Sequence, residues 1–240
     1  MEIKLSDWIY FRDRLSQLSN KASDEMIKWL QSKGGYAAIP REEVIEYAHA
    51  LATKYGEASA ALSAEMYDTV AFLSNATVPL AEVAPTATVD EVGKAINGAL
   101  KFSKDVEYLS NVVGRFVKQS SQDTTLRNAA RDGAQFAWIP AGDTCAFCLT
   151  LASRGWQNIS KKTLKNGHAE HIHSNCDCAY AVRFNDYDTV EGYDPDKYYK
   201  MYSDAEGRTP KDKINAMRRE GYAEARADGA SSDNSELLEI

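Results

Sequence analysis

The sequence predicts a mainly α protein in which long antiparallel helices precede a small stapled module with short β-strands, followed by short C-terminal helices. Three observations carry this prediction. Apolar residues recur every three or four positions along two long N-terminal stretches. All four cysteines and three of the four histidines fall between Cys145 and Cys178. Beyond Phe184 the chain becomes rich in Asp, Tyr and Gly, and two prolines stand where short helices would begin.

From Ser6 to about Lys33, Trp8, Phe11, Leu15, Leu18, Ala22, Met26 and Trp29 form one helical stripe. Ser6 is the expected N-cap, and Gly34-Gly35 stops the helix. Pro40 suits the first position of a second helix, where its missing N–H has no partner in any case. The stripe of that helix runs through Val44, Tyr47 or Ala48, Leu51, Tyr55, Ala58, Leu62, Met66, Val70 and Leu73 toward Asn75, completing a helical hairpin. Thr77 to Ala87, with Pro79 and Pro85, is a connection. Thr88 and Glu91 have the spacing of a capping box, each side chain satisfying a backbone N–H of the first turn. Helix is expected from there to about Phe102, again from about Lys104 to Lys118, and in a separate piece from about Thr124 to Asp132, ended by Gly133. Strands are expected at Gln135–Ile139 and Ala179–Phe184, bracketing the cysteines. Pro195 to about Ala205 and Pro210 to about Asp228 complete the helices. The resulting division is a helical domain over 1–132, a metal-binding module over 133–185, a helical extension over 186–228 and a flexible tail over 229–240.

With 240 residues, 44% apolar and 26% charged, the composition is that of an ordinary globular chain. No apolar run approaches the roughly 20 residues needed to cross a bilayer, so no membrane partner is expected. A formal net charge of -7 disfavours non-specific binding to a phosphate backbone as the main role. The most basic local group, Lys211, Lys213, Arg218 and Arg219, reads as a solvated helix face.

The chemistry lies in Cys145-Ala-Phe-Cys148 and in the later His171-Ile-His173-Ser-Asn-Cys176-Asp-Cys178. A thiolate zinc site needs four soft or borderline donors at tetrahedral corners, and chelating pairs on two segments deliver them. Two intervening residues let a tight turn point the sulfurs of Cys145 and Cys148 at one point. Cys145, Cys148 and Cys178 are the favoured ligands; the fourth place is contested between His173 and Cys176, and His171 could stand in for His173. The metal is expected to be structural Zn2+, because surplus donors leave no open position for catalysis. Such a small module has too little core to fold alone, and zinc would contribute about 10 kcal/mol or more of folding free energy.

Other readings of these residues fit less well. A pair of disulfides requires an oxidising compartment, and Met1-Glu-Ile-Lys-Leu lacks the basic start and apolar core of a signal peptide. His168-Ala-Glu170 resembles the His-x-Glu of zinc deaminases, but there it precedes the cysteine pair, whereas here it follows. There is no His-Glu-x-x-His, and no thioredoxin-like context for a redox dithiol. No catalytic residue is therefore assigned, and an enzyme is not expected. His49, alone in the second helix, reads as an ordinary surface or core histidine. A zinc-ribbon adaptor that binds nucleic acid or protein is the main alternative.

Between Trp138 and Tyr180 the chain resembles the Mu F-like family of phage head-morphogenesis proteins, also called minor capsid proteins. Asp143 stands shortly before Cys145 and Cys148, and His173, Asn175, Cys176 and Cys178 follow in the family's order; Ser174 and Asp177 replace its usual Pro and basic residue. The resemblance implies a structural protein of the virion, present in few copies in the phage head and in the host cytoplasm during assembly. It also implies association with the portal or major capsid protein, help in head assembly or DNA delivery, and room for contact with packaged DNA.

Overall fold

A computed structural model describes residues 1–102, 105–140, 145–159, 164–165, 168–169 and 178–220. Helix α1 spans Leu5–Ser32 and buries Trp8, Phe11, Leu15, Ala22, Met26 and Leu30, one stripe at helical spacing. Its N-cap is Lys4, not Ser6. The reason is that strand β1 (Glu2–Ile3) ends immediately before it and the Leu5 N–H is taken by the Glu191 carboxylate at 2.9 Å. A 3-10 turn at Tyr36–Ala38 leads to α2, Arg41–Leu73, for which Pro40 serves as the N-cap rather than the first helical residue.

The buried face of α2 follows the predicted stripe through Val44, Ala48 and Leu51 and then departs from it. From the middle onward the helix buries Gly56, Ser59, Ala60, Ser63 and Tyr67, while Leu73 is exposed. Close backbone approach decides the matter. A Cβ at Gly56 would lie 2.7 Å from Ser120 Oγ, and one at Gly114 would lie 2.6 Å from Ser23 Oγ. Small residues therefore line the helix contacts here, and larger apolar side chains are displaced to the rim.

Residues 77–88 cross the bundle as an extended strap. Its backbone is satisfied by side chains beneath it: Ala81 N–H by Asp68 at 2.8 Å, Glu82 N–H by Asn128 at 2.9 Å and Ala84 N–H by Thr124 at 3.0 Å. The predicted capping box is present, Thr88 and Glu91 opening α3, Val89–Ala99. That helix stops short of Phe102.

The largest correction concerns α4. It is one continuous helix, Val106–Asp132, N-capped by Asp105 and ended by Gly133, rather than two pieces. The stretch 118–125, Lys-Gln-Ser-Ser-Gln-Asp-Thr-Thr, interrupts the apolar period and so reads as a break. Every one of these residues is nevertheless buried, because α4 is the central rod on which α1, α2, α3 and the strands pack. Ser120, Thr124 and Thr125 hydroxyls donate to carbonyls four residues earlier, at 3.1, 2.8 and 3.2 Å, and Ser121 bonds Ser63 of α2 at 2.6 Å. Buried polar groups persist where such partners exist. The polar turns of α4 thus form a belt between two apolar cores. One holds Met26, Leu30, Val44, Val92, Ile96 and Val113; the other holds Trp8, Tyr67, Leu126, Trp138 and Tyr180.

At the second core the chain forms a three-stranded antiparallel sheet in the order β3-β2-β6, with β2 at Gln135–Ile139, β3 at Gln157–Asn158 and β6 at Ala179–Arg183. Both long strands lie where the sequence placed them, though β6 ends one residue early. Helix α5, Ala146–Ala152, packs on β2. Leu164–Lys165 (β4) and His168–Ala169 (β5) pair as a small hairpin beside α4, and β1 pairs in parallel with β7, Thr189–Val190. Helix α6, Pro195–Asp204, begins at proline as expected. A further helix, α7, covers 210–220 of the expected Pro210–Asp228; the predicted tail lies outside the described residues. Ala146 and Leu149 of α5 meet Ala205, Ala216 and Met217 in a satellite cluster, and Lys213 Nζ donates to the last carbonyls of α6 at 2.7 to 3.2 Å. No described helix is long and apolar enough to cross a membrane.

Candidate metal centre

The first cysteine pair sits on a helix, not on the tight turn expected from its spacing. Cys145 is the N-cap of α5 and Cys148 lies in its first turn. Ala-Phe-Cys-Leu-Thr-Leu-Ala has the propensity to continue as helix, which places the two cysteines three positions apart across its N-terminus. Cys145 is exposed, whereas Cys148 is 0% exposed and packs in the core with Leu151 and Ala152.

Cys178 is brought to the same region by strand register. Ile139, the last residue of β2, pairs with Ala179, the first of β6. Cys178, 5% exposed, therefore enters the sheet at the end where β2 hands the chain toward α5. Cys148 and Cys178 belong to one apolar core, which also holds Trp138 and Tyr180, whose rings meet edge to face at 4.5 Å. Two soft donors thirty positions apart in sequence thus belong to one core. His173 and Cys176, and with them Asp143 and His171, lie outside the described residues. Among the described residues no three His, Cys, Asp or Glu side chains gather around one point.

The polar belt of α4 forms the back of this region, a feature the sequence reading did not contain. Asp123, 1% exposed, accepts the Ala169 N–H at 2.5 Å, anchoring the hairpin that precedes the histidines. On the same helix, Lys118 and Gln122 line a small recess that also includes Arg12, Ser16, Ser121 and Cys178. Gln122 Oε1 is buried without a hydrogen-bond partner among the described residues. The only signal for these residues was an uninterrupted polar run within a helix, which on its own reads as solvent-facing.

Electrostatics elsewhere in the fold is structural. Burial and the Asp132 carboxylate, 2.8 Å away, push the Tyr67 phenol far above its ordinary value. Asp132 is held low by the paired Arg131 guanidinium, against the opposing effect of burial, and Arg131 also donates to the Pro79 and Leu80 carbonyls of the strap. For Asp188 burial acts upward, yet the Met1 ammonium at 2.7 Å, the Ser74 hydroxyl and the Asn185 amide together bring its carboxyl below the usual range.

No curated protein and no solved structure matches the chain. A protein-family model does, that of the VG15 protein, over residues 2–205. The match begins at β1 and ends just past α6, so it takes in the helical bundle, the strap, the sheet and both cysteine segments. With most of its length under that match, the chain belongs to the VG15 protein family and is a phage-encoded protein.

Proposed function

We propose that this phage protein is a structural minor capsid protein of a tailed phage, acting in head morphogenesis at the portal or major capsid protein. In this reading Cys145, Cys148 and Cys178, with either His173 or Cys176, hold a structural Zn2+. The observation that carries it is the register that puts Cys178 at the α5 end of the β2–β6 ladder, in one core with Cys148. The resemblance of Asp143 to Cys178 to the Mu F-like motif adds the assignment to the head.

A bound Zn2+ supplies crosslinking and charge, not reactivity, when all four positions are filled by protein. The chain's own residues do the rest. α5 sets the spacing of the first pair, β6 fixes Cys178, and the aromatic wall of Trp138 and Tyr180 excludes water from the buried thiols. The centre would tie the segment that carries His173 and Cys176 to the bundle and leave the long helices free to pack into an assembly.

Two measurements test the proposal. Elemental determination on protein purified in reducing buffer should find one zinc per chain. Mixing the chain with portal rings of the phage that encodes it should give co-migration in size-exclusion chromatography. Absence of portal association combined with tight binding to nucleic acid would overturn the capsid role in favour of the zinc-ribbon adaptor, and contact with packaged DNA alone would not rescue it.

A further inference from the structure

The strap of residues 77–88 inverts the usual order of burial. Its small residues Ala84 and Ala87 are buried against the bundle, while Leu80 and Val83 face outward at 79% and 58% exposed. A connection that only had to pack would bury the larger apolar side chains, which gain more from leaving water. The strap is held from beneath by polar groups instead. Asp68, Asn128 and Thr124 accept the N–H groups of Ala81, Glu82 and Ala84, Asn128 also donates to the Glu82 carbonyl, and Arg131 donates to the Pro79 and Leu80 carbonyls. The backbone is fixed and its apolar side chains are left in solvent, a preorganised state in which binding costs little ordering.

Helix α2 extends this face. Asp68 holds Ala81, so Phe72, one turn further along the helix and 80% exposed, lies beside Leu80. Gly56 approaches Thr86, so the strap runs back along α2 from Asp68 to Gly56. Exposed Glu57 and Glu65 stand at helical spacing in the row that leads to Asp68, and the Glu82 side chain projects from the strap itself, 86% exposed. Arg131, the cation that reaches the strap, is committed to its carbonyls and to Asp132 at 2.7 Å. The result is an apolar ridge of Phe72, Leu80 and Val83 edged by carboxylates. Large apolar side chains gathered in the open on a protein surface mark a place that a partner covers.

We propose that this face docks a basic amphipathic helix of another protein. The apolar stripe of that helix covers Phe72, Leu80 and Val83, and lysines or arginines along its edge meet Glu57, Glu65 and Glu82. Two observations select this occupant. The strap's N–H groups at Ala81, Glu82 and Ala84 and its carbonyls at Pro79, Leu80 and Glu82 are engaged inward, so it offers no continuous ladder to an added strand, and recognition falls to side chains, as for a helix laid on an apolar face. The carboxylate edge repels a second copy that presents the same face, and a net charge of -7 disfavours nucleic acid. The proposal is independent of the metal and of the role in the head.

The test titrates the full chain into a fluorescein-labelled synthetic helix of about 18 residues, or five turns, with leucine on one face and lysine on the other, and follows fluorescence anisotropy. The same peptide with glutamate for lysine is the control. The lysine peptide should bind, the glutamate peptide should not, and binding should weaken between about 50 and 300 mM salt. Leu80→Ser with Val83→Ser, and separately Glu57→Gln with Glu65→Gln, should each weaken binding about 10-fold or more. All four positions are exposed, so circular dichroism and the urea midpoint should not move. Hydrogen exchange should slow over residues 77–88 and the end of α2 when the peptide binds. No binding, protection located elsewhere, or full binding by the Leu80→Ser, Val83→Ser protein, which would mark attraction by charge alone, would overturn the proposal. So would self-association of the chain that the same double variant abolishes, which would assign the face to a second copy.

Discussion

The tight contact of α2 with α4 at Gly56 gives a quantitative prediction. A methyl group at position 56 would fall 2.7 Å from Ser120 Oγ and 3.1 Å from Thr86 Cγ2. To relieve the first contact the Ser120 hydroxyl must leave the Phe116 carbonyl, to which it donates at 3.1 Å, or α2 must shift. Overpacking of this kind costs about 1–3 kcal/mol, while replacing a helix-interior glycine by alanine returns about 1 kcal/mol of helix propensity. Gly56→Ala should therefore destabilise the protein by about 1 kcal/mol. Removing the obstructing oxygen with Ser120→Ala should convert the same glycine substitution to neutral or stabilising, giving a coupling of about 1–2 kcal/mol between the sites. Urea unfolding of the four proteins, followed by far-ultraviolet circular dichroism, measures it. Additivity within about 0.3 kcal/mol would show that the small-residue contact does not set the separation of these helices.

Asp188→Asn should cost about 1.5–3 kcal/mol at pH 7, the worth of hydrogen bonds to a charged acceptor. Because the folded carboxyl titrates below its unfolded value of about 3.9, that stability is complete above this pH and disappears as pH falls through the folded pKa; urea midpoints at pH 7 and pH 3 for both proteins test the sign. Tyr67→Phe should destabilise by a similar 1.5–3 kcal/mol through loss of the bond to ionised Asp132, and ultraviolet titration should find one fewer tyrosine resisting ionisation at high pH. Chelation, or Cys148→Ser, should raise hydrogen exchange in β2, α5 and β6 while most helical circular dichroism persists; loss of nearly all helix would refute a locally acting metal. Leu126→Ala, at a fully buried position on α4, should cost about 2–5 kcal/mol in the same urea assay.

Apolar spacing made much of the fold legible. Trp8 to Leu30 on α1, Val44 to Leu51 on α2, the Thr88–Glu91 cap, and the strands at Gln135 and Ala179 all follow local rules that tertiary structure did not override. Position 118 onward failed for a physical reason: a helix buried on every side by hydroxyl bonding carries no amphipathic period, so its polar middle looks like an interruption. The stripe on α2 slipped for a related reason, since backbone proximity to α4 rewards Gly56, Ser59 and Ser63 over Tyr55, Ala58 and Leu62. The cysteine pair could be located from spacing but not its helical setting, because a two-residue gap satisfies both a turn and a helix. The recess that Lys118 shares with Cys178 was invisible, since proximity across sixty residues leaves no mark in composition.

The parallel pairing of β1 with β7 joins Glu2 to Thr189, and the Met1 ammonium reaches Asp188 across 187 positions of chain. During synthesis the opening strand leaves the ribosome long before its mate exists, and closing so long a loop is entropically slow. A slow final docking step is the natural counterpart of such a clasp, because a strand made early waits on one made far later.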